Sequence, residues 1–265
     1  MRLKFMIRII LLFICIVVSQ CTPKPKWENF QGGNFYIIEI IKSGNSEEDI
    51  FNTEKTATLL QKRVEDLKIK DPIVKKMGDY TIGIQTVASL NLDNIFQEDG
   101  IMRGYLEFRL VEEELQSSHD TLNLITEEQD ILPYAKRSLQ YADEPEIVYV
   151  TNKEPKISGQ HIRQTRINRV DSDYFINITL DDKGSELLES ITSKNIGKQM
   201  ATVFDDQIIF IARIKNKIVG CDVQLGAFTK SDAEYYNLFL NSGSLPARFR
   251  LIESMKINKD NWFGN

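Results

Sequence analysis

Phe35-Tyr36-Ile37-Ile38-Glu39-Ile40-Ile41 is nearly all apolar and β-favouring, which reads as a strand. Downstream, Ala57, Leu60, Val64 and Leu67 recur at helical spacing and predict an amphipathic helix from about Asn52 to Leu67. Tyr80 to Ile84 reads as a further strand, and Leu90 to Phe96 as a short helix. Leu106, Phe108 and Leu110 then alternate with Glu107 and Arg109, as in a half-buried strand with one wet face. Strand, helix, strand pair, short helix and strand is the ferredoxin-like arrangement.

Moving outward, Glu112 to about Asp143 is polar and turn-rich and marks a boundary with partly irregular structure. A second α+β unit follows. Ile147 to Val150 is a short strand, and Tyr174, Ile176, Ile178 and Leu180 alternate along the next. Leu187, Leu188 and Ile191 lie on a helix between Asp181 and Ser193. Met200 to Phe204 and Ile208 to Ile211 flank Asp205-Asp206, a tight hairpin. Ile218 to Leu225 adds a strand. Ser231 to Leu240 is a helix that ends at Ser242-Gly243, with glycine as the usual cap. Arg248 to Ile252 closes the chain with a last strand.

The N-terminus carries a targeting segment. Arg2, Lys4 and Arg8 precede an unbroken apolar run from Ile9 to Val18. That run is shorter than the roughly 20 residues a spanning helix needs and matches the hydrophobic region of an export signal. Val18-Ser19-Gln20-Cys21 resembles the box that directs lipid attachment to cysteine, although Gln20 stands where Gly, Ala or Ser is usual. The alternative is an uncleaved anchor, with Phe5 to Val18 crossing as a short helix. Both readings place the body outside the cytoplasmic membrane.

Composition narrows the function. The chain has 265 residues and a formal charge of −5, and loss of the leader leaves 30 basic against 38 acidic residues. Such a balance argues against nucleic acid, whose phosphates call for a basic surface. Of three cysteines, Cys15 lies in the leader, Cys21 in the lipid box and Cys221 in an apolar run, so no disulfide framework is expected. His119 and His161 stand among polar residues with no metal-like neighbour and read as solvated surface histidines. There is no nucleophile elbow, and Gly197-Lys198 lacks the upstream glycine and the Ser/Thr of a phosphate loop. Acidic Glu112 to Glu114, Asp181-Asp182 and Asp205-Asp206 read as a strand exit, a helix start and a turn. No catalytic residue, metal or cofactor is expected, and the chain is not read as an enzyme.

A family resemblance rests on particular residues. Asp181 to Thr192 followed by Gly197-Lys198-Gln199-Met200-Ala201-Thr202-Val203-Phe204-Asp205 resembles a helix-to-hairpin segment of the SecD family. Gln224 to Thr229 with Asp232-Ala233, and Asn241-Ser242-Gly243-Ser244-Leu245-Pro246-Ala247, resemble further SecD motifs. So do Tyr105 to Val111 and Gln31-Gly32-Gly33 with the strand Tyr36 to Ile40. The matches occur in family order over about Asn29 to Gly264. The chain is thus identified as similar to the first periplasmic domain of SecD, a protein-export subunit. Departures are Asn29 and Gln31 before the Gly-Gly pair, and Ala212 where the family has proline.

The resemblance implies an α+β fold in which a ferredoxin-like base is built from both chain ends and an α+β head is inserted. The expected division is 1–21 leader, 22–28 tether, 29–115 with 243–265 base, and 116–242 head. Crossing segments near Val111 to Glu114 and Ser242 to Pro246 would form the neck. Gly32, Gly33, Gly243, Leu245 and Pro246 are the motif residues, with Gly243 either a hinge or an ordinary helix cap. SecD proper continues into membrane helices; with the sequence ending at Asn265, a free-standing, lipid-anchored version without proton-driven work is expected. The implied role is a non-catalytic export accessory binding unfolded or translocating polypeptide, or Sec translocase subunits. The alternative is an envelope lipoprotein that reuses the fold as an interaction module unrelated to export.

Overall fold

A computed structural model describes residues 33–66, 72–86, 96–97, 100–101, 103–116, 126–135, 147–153 and 157–257. Cys21 and Gly32 lie outside them, as do His119 and most of the helix read at Leu90 to Phe96. Phe96 itself belongs to a short strand.

The chain begins with β1 (Asn34–Ile40), α1 (Ser46–Asp66), β2 (Ile73–Lys76), β3 (Thr81–Thr86) and the short pair β4 (Phe96–Gln97) and β5 (Gly100–Ile101). It continues through β6 (Leu106–Gln116), β7 (Gln129–Pro133), β8 (Ile147–Asn152), β9 (Ile157–Ser158), β10 (Ile162–Val170) and β11 (Asp173–Leu180). Next come α2 (Asp182–Lys194), β12 (Gln199–Phe204), β13 (Gln207–Arg213), β14 (Asp222–Phe228), α3 (Lys230–Ser242) and β15 (Phe249–Lys256).

The base sheet has the order β15-β1-β3-β2, all antiparallel. With α1 between β1 and β2 and α3 before β15, this is the ferredoxin-like order of strands and helices. The fourth strand comes from the far end of the chain, with Asn34 opposite Lys256 and Ile40 opposite Phe249. Ile38, Ile40, Leu60, Val64, Ile82 and Ile84 form its core, each at most 2% exposed. Each contributes about 1.5–3 kcal/mol relative to exposure, which seats α1 on the sheet. The helix starts six residues before the apolar spacing announces it. Glu47, Glu48 and Asp49 fill its first turn, where negative charge suits the dipole, and Asn45 Oδ1 accepts from Glu48 N.

The strand read at Leu106 is longer than expected and pairs outside the base. It joins a sheet of order β13-β12-β6-β8-β7, with β9 also on β6. That sheet curls back on itself, because Ala135 N donates to Ile208 O (2.8 Å) just beyond β7. Val111, Leu132, Tyr149, Ala201, Val203 and Ile208 pack inside the curl. Glu107 and Arg109, read as a wet face, are instead 4% and 7% exposed, and Arg109 donates to Glu107 and to Asp130 Oδ2 (2.6 Å). The remaining sheet, β10-β11-β14, is antiparallel. α3 lies between it and α1, and Thr165 of β10 is tied to α3 through Asn237 and Asn241. The fold is therefore α+β, with a base drawn from both chain ends and the other sheets inserted between.

Candidate functional site

Four stretches of chain converge at the C-terminal end of α1: its last turn, residues 103–105 leading into β6, the β12–β13 turn, and residues 242–245 after α3. Arg63 is the centre. It sits three residues after Leu60, inside the apolar stripe of α1, and is only 1% exposed. Its Nε donates to Ser242 Oγ (2.9 Å), and its Nη2 donates to the carbonyls of Arg103 (2.6 Å) and Gly243 (2.5 Å). Its guanidinium also lies 5.0 Å from the Phe239 ring centroid. Burial pushes the Arg63 pKa down to about 10, partly offset by Asp205 and Tyr235, so it carries its charge at neutral pH.

One guanidinium therefore touches both strands of chain that pass from base to head. Backbone bonds close the same ring. Leu245 N donates to Arg103 O (2.8 Å), and Ser244 Oγ donates to Gly104 O (2.8 Å). From the head side, Asp205 accepts from Gly104 N (2.9 Å) and Tyr105 N (2.8 Å), while its own N–H donates to Tyr105 O (3.0 Å). Burial raises the Asp205 pKa, opposed by those two backbone donors and by Arg103 and Arg63. Asp205 and Asp206 both have positive φ, as a primed hairpin turn requires. Phe204, Tyr235, Tyr236 and Phe239 stack edge-on or tilted beneath, with centroids 4.9–6.4 Å apart.

Of the residues singled out from sequence, Gly243 and Leu245 stand in this ring, and Pro246 follows on the chain. Gly243 has φ +84 and ψ 154 at the end of α3, a conformation nearly confined to glycine. Gly33 lies elsewhere, at the start of the interior base strand β1, between the ends of β15 and β3. Its carbonyl accepts from Ile257 N (3.0 Å), and a Cβ there would fall 1.8 Å from Thr86 O. Sequence reasoning passed over Arg63; its signal is a cation inside an apolar helical stripe. It read Asp205 only as a turn. His161 is half-buried rather than solvated, and its Nδ1 accepts from Ser158 N. Among the described residues, no three His, Cys, Asp or Glu side chains gather as a metal site would need, and no helix is long and apolar enough to cross a membrane.

This geometry defines a class: a ferredoxin-like base carrying an inserted head, the two joined through a buried, arginine-centred neck. Residues 134–247 match the family model of the SecDF P1 head subdomain. SecD of Calditerrivibrio nitroreducens is 25% identical over 78% of this chain and 41% of its own length. SecDF of Brucella abortus is 25% identical over 86% of this chain and 29% of its own length. In fold, the chain resembles a crystal structure of SecDF in a super-membrane-facing form, with TM-score 0.63, 19% identity, 96% of this chain and 34% of that one. The chain is thus similar to SecD and SecDF over most of its length, with the head subdomain matched at residues 134–247. It spans less than half the length of these curated relatives.

Proposed function

We propose that the protein is a non-catalytic accessory of protein export, held on the extracytoplasmic face of a membrane, whose head takes hold of unfolded or translocating polypeptide. The observation that carries this reading is the match of residues 134–247 to the SecDF head, on a fold shared with SecDF over nearly the whole chain. The neck supports it physically. The two links between base and head pass one buried guanidinium and two glycines at positive φ, Gly104 and Gly243, so a small rearrangement at Arg63 and these glycines would reorient the head. In this reading Gly33 lets the start of β1 pack closely between β15 and β3, Leu245 and Pro246 fix the exit from the neck, and residues 116–242 serve as the head. Contact with subunits of the Sec translocase belongs to the same proposal. Capture of an extended client is weak and adaptable, because the client loses ordering entropy when held.

The test uses the full chain in membranes. Crosslinking in intact cells, followed by identification of the captured chains, is expected to recover exported proteins before they fold. Calorimetry with unfolded and folded forms of one exported protein is expected to show preference for the unfolded form. Equal binding to both forms would replace the client reading with a dedicated folded partner. Anchoring is proposed at Cys21: mass spectrometry of the mature N-terminus should find it lipid-modified and lost on Cys21→Ala, and an intact Met1 in the membrane-bound protein would mean a spanning anchor instead.

A further inference from the structure

One end of the head departs sharply from the acidic character of the chain. The loop from α2 to β12 and the loop from β13 to β14 lie side by side there. Gly197 N donates to Ile214 O (2.8 Å), Ile214 N donates to Lys198 O (2.9 Å), and Arg213 Nη1 donates to Gly197 O (2.7 Å). Ile218 N donates to Thr192 Oγ1 (2.9 Å), fixing the second loop to the last turn of α2. The pair of loops presents Lys194, Lys198, Arg213, Lys215 and Lys217, all exposed. Among the described residues, Lys217 of this set is joined to a carboxylate, Glu189 (2.9 Å), and Glu112 lines the same concavity as Lys198 and Arg213. The acidic residues nearest in sequence within the hairpin, Asp205 and Asp206, lie at its opposite end, six strand residues or about 20 Å away.

Two aliphatic side chains rise from the same loops. Ile196 is 59% exposed and Val219 is 68% exposed, among the most exposed large hydrophobic residues in the described structure. They stand on separate loops. Lysines with long apolar stems around isolated aliphatic tips suit a phospholipid headgroup layer, where the tip enters the acyl boundary and the ammonium groups stay with the phosphates. A protein interface would favour Tyr, Trp and Arg and disfavour Lys. Here four of five cations are lysine, and neither loop carries an aromatic residue.

We propose that this end of the head, formed by residues 194–198 and 213–219, docks on an anionic phospholipid surface through Lys194, Lys198, Arg213 and Lys215, with Ile196 and Val219 inserted. This goes beyond client binding and does not depend on it.

Hydrogen exchange of the full chain tests the proposal in vesicles of phosphatidylcholine alone or of phosphatidylcholine and phosphatidylglycerol in equal parts. Amides of Ile196 to Lys198 and Lys215 to Val219 should be protected in the anionic vesicles only, and protection should vanish at high salt. Each neutralised lysine should lower occupancy of the docked state about five-fold, so Lys198→Gln with Lys215→Gln should abolish protection. Ile196→Ser with Val219→Ser should weaken it while leaving its salt dependence in place. All four positions are exposed, and circular dichroism should show unchanged folding. Equal exchange in the two vesicle types would overturn the proposal. So would protection by a soluble polyglutamate peptide in phosphatidylcholine vesicles without any in the anionic ones, which would assign the surface to an acidic polypeptide.

Discussion

Replacing Arg63 separates two contributions that the neck combines. The guanidinium is almost wholly buried, and burial pushes its pKa well below the usual arginine range, down to about 10. At one pKa unit per 1.36 kcal/mol, burying the charge at neutral pH costs about 3 kcal/mol that its partners do not recover. Methionine at this position removes that cost and nearly fills the volume. It leaves the Gly243 carbonyl without the donor that Arg63 supplies, at about 1–3 kcal/mol, whereas the Arg103 carbonyl keeps Leu245 N. The two effects nearly cancel, so Arg63→Met should change stability by no more than about 1–2 kcal/mol. Alanine removes the charge too, but it opens a cavity beside Phe239 and loses the side chain's packing. Arg63→Ala should cost about 3–5 kcal/mol. Urea unfolding followed by circular dichroism measures both. Both variants should also speed hydrogen exchange at the Tyr105 and Leu245 amides, because the clasp across the two crossing segments is gone. If Arg63→Met proved as destabilising as Arg63→Ala, the charge itself would be holding the neck, and the desolvation argument would be wrong.

Other substitutions probe the surroundings. Asp205→Asn offers one acceptor to two backbone donors and should cost about 1–3 kcal/mol. Because burial holds the folded-state pKa of Asp205 above 3.8, its contribution is fully present below 3.8 and is lost as pH rises through the folded value. The stability gap between wild type and Asp205→Asn should therefore be widest in acid and shrink toward neutral pH, and urea midpoints at the two conditions check the sign. Gly33→Ala places a carbon 1.8 Å from Thr86 O and should cost more than about 4 kcal/mol or prevent folding, read as loss of soluble protein. Gly243→Ala has open space and only backbone strain, about 1–3 kcal/mol, seen as a lower Tm in an otherwise folded protein. Arg109→Leu strands the buried Glu107 carboxylate and should cost about 3–5 kcal/mol, and adding Glu107→Leu should recover most of it in thermal unfolding.

Local chemistry alone determined a good share of this molecule. The apolar, β-favouring run of Phe35 to Ile41, the helical recurrence of Leu60 and Val64, the Asp-Asp turn and the Gly243 cap each depend on neighbours within a few residues. All four stand in the structure where the sequence points to them. Asp181 caps α2, with Oδ1 accepting from Gly184 N (2.7 Å), for the same reason. β10 escaped notice because most of it is exposed on both faces, so Arg163, Gln164, Arg166, Asn168 and Arg169 carry no period-two signal. β7 was hidden in a polar stretch, since only Leu132 of its five residues is buried.

Tertiary structure decided everything that rests on distant partners. Alternation along Leu106 to Leu110 says that one face is buried, but not that the strand pairs with β12 and β8 instead of the base. Glu107 and Arg109 look solvated in sequence because a charge announces its exposed state, and only a partner carboxylate such as Asp130, 21 residues away, makes burial tolerable. Arg63 is the clearest case. Three of its acceptors lie 40, 179 and 180 residues further along the chain. No local pattern specifies a site whose parts meet only when both crossings of the neck are in place. The sequence supplied the cation and the apolar stripe that carries it. The fold supplied the low-dielectric surroundings and the carbonyls that turn that cation into a clasp.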